Sequence, residues 1–181
     1  MKLLLDACVI YPTVMRQMIL GVAGGGGFTP LWSERIIGEW LHAAAKLGPD
    51  AQAQAAGEAA LMAARWPDAR VTYKPSLEDR LWLPDPADTH VLAAAIAGSA
   101  DGILTLNARD FPRNILAEEG LWRADPDGFL HGIWQARPEM VSEVADGVLA
   151  EARRLSKAGW EMRPLLKKAR LPRLAKALAG T

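Results

Sequence analysis

The amino-acid sequence predicts an α/β protein with a central parallel sheet and a helical C-terminal part. Up to about residue 125, short apolar segments typical of buried strands alternate with longer segments of helical periodicity. This alternation is typical of a parallel sheet covered by helices on both faces. From Pro126 onward the sequence shows only helical patterns. We therefore expect two domains, residues 1–125 and a helical extension over residues 126–181.

The strands are predicted from short apolar or β-branched runs that lack a helical stripe. They are residues 2–6, 71–73, 102–106 and 121–123, the last as an edge strand. Proline, glycine and a capping serine (Ser33) mark the ends of the helices. The predicted helices run from Pro12 to glycines 24–27, over 33–46, 50–66 and 88–97, from Pro112, over 126–136 and 138–157, and in pieces over 163–179 split by Pro164 and Pro172.

Composition and length predict a folded cytoplasmic protein. Half of the 181 residues are hydrophobic, which argues against a disordered chain. A single cysteine, Cys8, excludes an internal disulfide and favours a reducing compartment. The N-terminal apolar run is interrupted by Asp6 and is too short for a signal peptide or a membrane span. We expect no membrane partner.

The charge is unevenly distributed although the net charge is zero. Residues 153–181 hold nine basic residues and a single acid, Glu161, so residues 1–152 carry an acidic excess. A basic tail of this kind favours a contact with substrate or partner. A solvated helical face explains it equally well.

Acidic and amide side chains follow or precede the predicted strands. Asp6 ends the first strand, Asn107 and Asp110 follow the strand 102–106, and Asp88 begins a helix after a loop that carries Asp85. Ligand sites in open parallel sheets form outside the carboxyl ends of the strands. Carboxylate oxygens are the ligands that Mg²⁺ prefers, so these groups predict a divalent metal site if they converge.

Each of these acids also has a structural explanation. Asp6 could be held by backbone amides, Asp88 could cap its helix, and Asp85 and Asp110 could stabilise turns beside prolines. Glu39 lies at the margin of the apolar face of its helix, where a solvated position is nearly as well explained. Glu34, in the first turn of that helix, is the alternative to Glu39 as a metal ligand.

Four blocks of sequence together resemble the PIN domain, in this order and spacing over roughly residues 1–125. They are LLLDACVI at residues 3–10, Glu39, LPDPADTHVLAAA at residues 83–95, and ILTLNARDFP at residues 103–112. The last two blocks are similar to a bacterial subgroup related to the toxins of toxin–antitoxin pairs.

This resemblance implies a three-layer α/β/α fold with about five parallel strands, and cleavage of single-stranded RNA with Mg²⁺ or Mn²⁺. It implies that Asp6, Glu39, Asp88 and Asp110 are the acidic catalytic and metal-binding quartet. Further site residues are Asp85, Asn107 and Thr105, whose hydroxyl would order a metal-bound water. The resemblance also implies a homodimer and, for toxin members, a small antitoxin that blocks the site.

Other functions are less well supported by the residues. An aspartate-nucleophile phosphatase requires a second aspartate two residues after the first, where this chain has Cys8. A phosphoacceptor module requires paired early acids and a late lysine. The alternatives that stay open are a non-catalytic RNA-binding or assembly module and a DNA-directed nuclease. His42, His90 and His131 lack the spacing of a zinc site and are expected to pack or to lie at the surface.

Overall fold

Five parallel strands form a single sheet in the computed structural model, which describes residues 1–179. The strand order is β3-β2-β1-β4-β5, with β1 in the centre. The strands are β1 (Lys2–Leu5), β2 (Thr29–Ser33), β3 (Arg70–Val71), β4 (Gly102–Leu104) and β5 (Trp122–Ala124). The α/β fold with its parallel sheet is confirmed, and the last strand lies at the sheet edge as predicted.

Helices connect the strands and continue alone after β5. They are α1 (Ala7–Ile10), α2 (Thr13–Gly24), α3 (Glu34–Ala45), α4 (Pro49–Arg65), α5 (Pro75–Asp79), α6 (Thr89–Ala97), α7 (Arg113–Glu118), α8 (Pro126–Ala136), α9 (Pro138–Leu155), α10 (Met162–Lys168) and α11 (Pro172–Leu178). Ser33 caps α3 as predicted, because its hydroxyl accepts a hydrogen bond from the Ile36 N–H. Pro164 does not split the helices but lies inside the first turn of α10, where a missing N–H breaks no bond.

Strand β2 was not predicted from the residues. Its sequence, Thr29 to Ser33, contains Pro30, which normally argues against a strand because it cannot donate to the ladder. In the structure Pro30 is in register with Leu3 of β1, whereas β3 pairs only with Trp32 and Ser33. Because β3 is short, it does not pair with Pro30, so the missing N–H of Pro30 breaks no hydrogen bond to β3.

The order of the strands creates a switch point between β1 and β4. Strands β2 and β3 lie on one side of β1, and β4 and β5, which come later in the chain, lie on the other side. Connections that leave two neighbouring strands in opposite directions open a crevice at their carboxyl ends. Asp6 and Thr105 are the residues that directly follow these two strands.

The contacts within the chain define two compact units. The first comprises residues 1–11 and 29–124 and contains the sheet. Its core is apolar, and Leu3, Leu4, Ile103 and Leu104 of the two central strands are completely buried. This fully apolar character is typical of strands covered on both faces.

The second unit comprises residues 12–28 and the chain from residue 125 onward, of which residues 180 and 181 lie outside the described part. Helix α2 thus groups with the C-terminal helices. Phe28 packs edge-to-face on Phe129 at 5.3 Å, and buried Asp127 accepts hydrogen bonds from the N–H groups of Arg173 and Leu174 at the start of α11. The predicted domain division after residue 125 stays a prediction.

No helix within residues 1–179 combines the length and the apolar character needed to cross a lipid bilayer.

Gly102 is required by the packing of Trp122 on the neighbouring strand. A Cβ atom at Gly102 would lie 2.6 Å from Cδ2 of the Trp122 ring, its cross-strand partner. We expect Gly102→Ala to destabilise the protein by about 1–3 kcal/mol, the usual range for overpacking. Urea unfolding measures this, and the loss should shrink in a Trp122→Ala background because the clash is then absent.

Gly57 provides the matched control in the same unit. It is exposed in the middle of α4, and a Cβ there meets no atom within 4 Å. Gly57→Ala should therefore stabilise the protein by about 0.5–1 kcal/mol. If Gly102→Ala lowers the free energy of unfolding equally in the wild-type and Trp122→Ala backgrounds, this account of the β4–β5 packing is contradicted.

Candidate metal centre

Asp6 is placed at the switch point by the extension of the β1–β4 ladder. Its N–H donates to the Leu104 carbonyl at 3.1 Å, which continues the ladder one residue beyond β1. Its side chain is buried, with a residue exposure of 8%. A carboxylate held here points out of the strand end rather than into the apolar core.

Two neutral side chains hold one oxygen of Asp6. The Thr105 hydroxyl donates to Asp6 Oδ2 at 2.6 Å, and the Cys8 thiol donates to the same oxygen at 3.0 Å. The Thr105 hydroxyl in turn accepts from the Asn107 N–H at 2.9 Å, which fixes its direction of donation. Burial and the nearby Asp6 charge raise the pKa of Cys8 to about 12, so its thiol keeps its proton. The carboxylate of Asp6 is therefore held in one orientation by two donors.

A cluster of three carboxylates lies at the same edge. One oxygen each of Asp85, Asp88 and Asp110 lie within 4.8 Å of one another. Asp85 precedes a short 3-10 turn, Pro86–Asp88, and accepts from the Ala87 N–H at 2.9 Å. This turn brings Asp85 and Asp88 together immediately before α6.

The electrostatics of Asp88 show that the acids interact. Burial, followed by repulsion from Asp6, Asp85 and Asp110, raises the pKa of Asp88 to about 6. The Asn107 amide opposes this by donating to Asp88 Oδ2 at 3.1 Å. The charge of Asp6 thus acts on the cluster of three carboxylates.

Glu39 faces these acids from helix α3. Burial raises the pKa of Glu39, the Arg35 charge lowers it, and repulsion from Asp6 and Asp88 raises it further. Glu34 instead pairs with Arg70 at 3.1 Å, and its side chain is 72% exposed. Of the two glutamates left open by the sequence, Glu39 is the one whose charge interacts with the cluster.

All seven residues selected from the sequence lie around this edge, but they differ in their interactions. The cluster within 4.8 Å contains Asp85, Asp88 and Asp110, whereas Asp6 and Glu39 are linked to it through their charges. Thr105 and Asn107 contact the acids directly by hydrogen bonds. The individual roles of these residues stay predictions.

Two polar residues at the site were given no role in it by the sequence analysis. Cys8 donates to Asp6, and completely buried His90 lies with Nε2 at 2.8 Å from Oε1 of Glu39. Both residues come two positions after an acid, Asp6 or Asp88. A lone histidine in the apolar run of α6 was the available signal.

The donor set fits a hard divalent cation. Its ligand atoms are carboxylate oxygens at the protein surface, which suits an ion that retains several waters. The pKa of Asp88 is raised by burial and then by repulsion from the neighbouring acids, and a cation would relieve this repulsion. The arrangement can therefore concentrate positive charge at the switch point.

The comparison with protein families decides the identity of the fold. The family model for the PIN domain matches residues 2–109, more than half of the chain. The chain belongs to the PIN domain family. Comparison with curated proteins and with solved structures gives no significant match. PIN domains are in general metal-dependent nucleases, and in this one Asp85, Asp88 and Asp110 lie close enough together to hold a metal ion.

Removing one charge from the cluster should stabilise the metal-free protein. We expect Asp88→Asn to unfold about 2–4 °C higher than the wild type at pH 7.5 in EDTA, the shift made by roughly 1 kcal/mol in a chain of this size. Because the pKa of Asp88 is raised from 3.8 to about 6, its ionisation costs stability as the pH rises through this window. The difference should therefore be present above pH 6 and absent below pH 4, as measured by differential scanning fluorimetry.

The exposed Asp68, in a turn outside the cluster, is the control for this prediction. Asp68→Asn should leave the melting temperature at pH 7.5 in EDTA unchanged. A lower melting temperature for Asp88→Asn in EDTA would show that its carboxylate stabilises the fold and would refute the repulsion.

Proposed function

We propose that this PIN domain protein is a divalent-metal-dependent endoribonuclease that cleaves single-stranded RNA with Mg²⁺ or Mn²⁺. The observation that carries the proposal is the convergence of Asp6, Asp85, Asp88 and Asp110 at the carboxyl ends of β1 and β4. A set of acids without basic partners is costly to maintain unless a cation uses it. Membership in the PIN family supports nuclease activity in general.

The side chains divide into ligands and supports. Asp85, Asp88 and Asp110 would hold the ion, and Asp6 and Glu39 would add negative charge and complete the site. Asn107 and Thr105 keep Asp88 and Asp6 oriented through their hydrogen bonds. When bound, the ion supplies an activated water and neutralises charge on the phosphate.

A toxin role with its partners belongs to the same proposal. The resemblance to toxin-like sequences favours a homodimer and a small antitoxin that blocks the acids. A short DNA-binding reading frame directly upstream would support this role. Activity without any such neighbour would favour RNA processing instead.

Asp6 provides the direct test of catalysis. We expect Asp6→Asn to lower divalent-dependent cleavage of single-stranded RNA by more than the roughly 10–100-fold typical of outer-shell changes, with RNA binding little altered. Cleavage is followed on labelled single-stranded RNA, single-stranded DNA and both duplexes, each with Mg²⁺, Mn²⁺ or EDTA. Asp68→Asn is again the matched control and should cleave like the wild type.

The outcomes separate the alternatives. Retained cleavage by Asp6→Asn would contradict the assignment of the site, and faster cleavage of DNA would replace RNA as the substrate. RNA binding by the wild type without cleavage under any of these ions would favour the non-catalytic binding module.

The basic C-terminal segment is proposed to contact the RNA backbone. Truncation is a poor test, because Leu166, Leu171 and Leu174 of this segment are completely buried in the second unit. We expect Lys157→Gln together with Lys167→Gln, both exposed, to weaken RNA binding. The slope of log affinity against log salt should fall by up to about 0.7 for each lost phosphate contact.

Two exposed lysines of the first unit serve as the control. Changing Lys46 and Lys74 to glutamine removes the same charge from the whole protein. An equal loss of slope in both double variants, measured by fluorescence anisotropy, would show that only net charge matters. An unchanged slope for the tail variant would refute the contact.

A further inference from the structure

His90 is a completely buried polar residue on a largely apolar helix. It is the second residue of α6 and has no exposed surface, like the alanines that follow it. Among residues 1–179, neither imidazole nitrogen has a partner with the full geometry of a hydrogen bond. A buried unpaired imidazole is costly, so this position demands a reason.

The nearest polar group to His90 is the Glu39 carboxylate. Nε2 of His90 lies 2.8 Å from Oε1 of Glu39, a hydrogen-bond distance that lacks only the alignment. A carboxylate accepts hydrogen bonds and does not donate them. Nε2 must therefore carry the proton if the contact is favourable, which specifies one tautomer of the imidazole.

Glu39 needs such a partner because its own helix leaves it partly exposed. Its side chain is 42% exposed, and the competing cation, Arg35, lies 3.9 Å from the same oxygen, Oε1. The hydrogen bond of Arg35 goes to another acid, since its Nη1 donates to Glu78 at 3.0 Å. The rigid contact on Glu39 is thus the one made by the buried imidazole.

We propose that His90 is a positioning residue, which donates from Nε2 to Oε1 of Glu39 and so holds the Glu39 carboxylate at the acid cluster for cation binding. The contact itself stands on the 2.8 Å distance between Nε2 and Oε1, and only its effect on a cation rests on the proposed function. His90 acts through Glu39 and is not itself a ligand. Outer-shell donors of this kind orient ligands in metal sites.

The tautomer is tested directly on the full-length wild-type chain. Long-range ¹H–¹⁵N correlation spectra of ¹⁵N-labelled protein distinguish a protonated Nε2 from a protonated Nδ1. We expect the Nε2–H form for His90, and a change in its ¹⁵N shifts in the Glu39→Gln variant. A protonated Nδ1 with a bare Nε2 would overturn the proposal, because Nε2 could not then donate.

The effect on the cation is tested by titration with Mn²⁺ alone, followed by electron paramagnetic resonance. We expect His90→Leu to weaken Mn²⁺ binding by about 10–100-fold. His90→Gln should recover most of this loss, because its amide nitrogen reaches the place of Nε2. His90→Asn, whose amide nitrogen reaches only the place of Nδ1, should not recover it. If His90→Leu does not fold, the comparison of His90→Gln with His90→Asn tests the same point.

A double-mutant cycle separates positioning from general damage to the fold. In a Glu39→Gln background, His90→Leu should cause less than about a twofold further loss of Mn²⁺ affinity. The same loss in both backgrounds, or wild-type affinity in His90→Leu, would refute the role of His90. Absence of Mn²⁺ binding by the wild type would instead refute the proposed function, while the tautomer still decides the hydrogen bond.

Discussion

Repulsion between carboxylates at the end of a parallel sheet is the constraint around which the site is organised. Burial and the charges of Asp6, Asp85 and Asp110 together raise the pKa of Asp88, so the folded chain holds these groups against their electrostatic preference. The structure offsets this with neutral donors. Thr105 and Cys8 bind Asp6, Asn107 binds Asp88, and a backbone N–H binds Asp85. Neutral donors orient the oxygens and leave their charge available.

The strand order explains why distant residues meet. Asp6 and Thr105 are 99 positions apart in the sequence, yet they follow two neighbouring strands. Strands β1 and β4 are neighbours because β2 and β3 lie on the other side of β1. The acid and the hydroxyl that holds it come from the two strands at the switch point. Apolar packing of those strands therefore determines the geometry of the polar site.

The sequence predicted the elements whose signals are local. Ser33 marked the start of α3, and the apolar runs marked β1 and β4. It did not predict β2, because Pro30 is tolerated only through the short length of β3, which is a tertiary property. The acids were found because carboxylates beside apolar strands are unusual. The contacts of Cys8 with Asp6 and of His90 with Glu39 were missed, since a single thiol or imidazole in an apolar segment is also typical of packing.

The placement of the cations completes the argument for an ion-binding site. An arginine inside the cluster would neutralise the acids and compete with a bound ion. Arg35 pairs with Glu78 and Arg70 with Glu34, while Arg35 approaches Glu39 only to 3.9 Å. Glu39 is thus approached by Arg35 at 3.9 Å and by the His90 imidazole at 2.8 Å. In our proposal, a neutral donor there would counteract the arginine without reducing the negative charge, and so would keep Glu39 available to the acids.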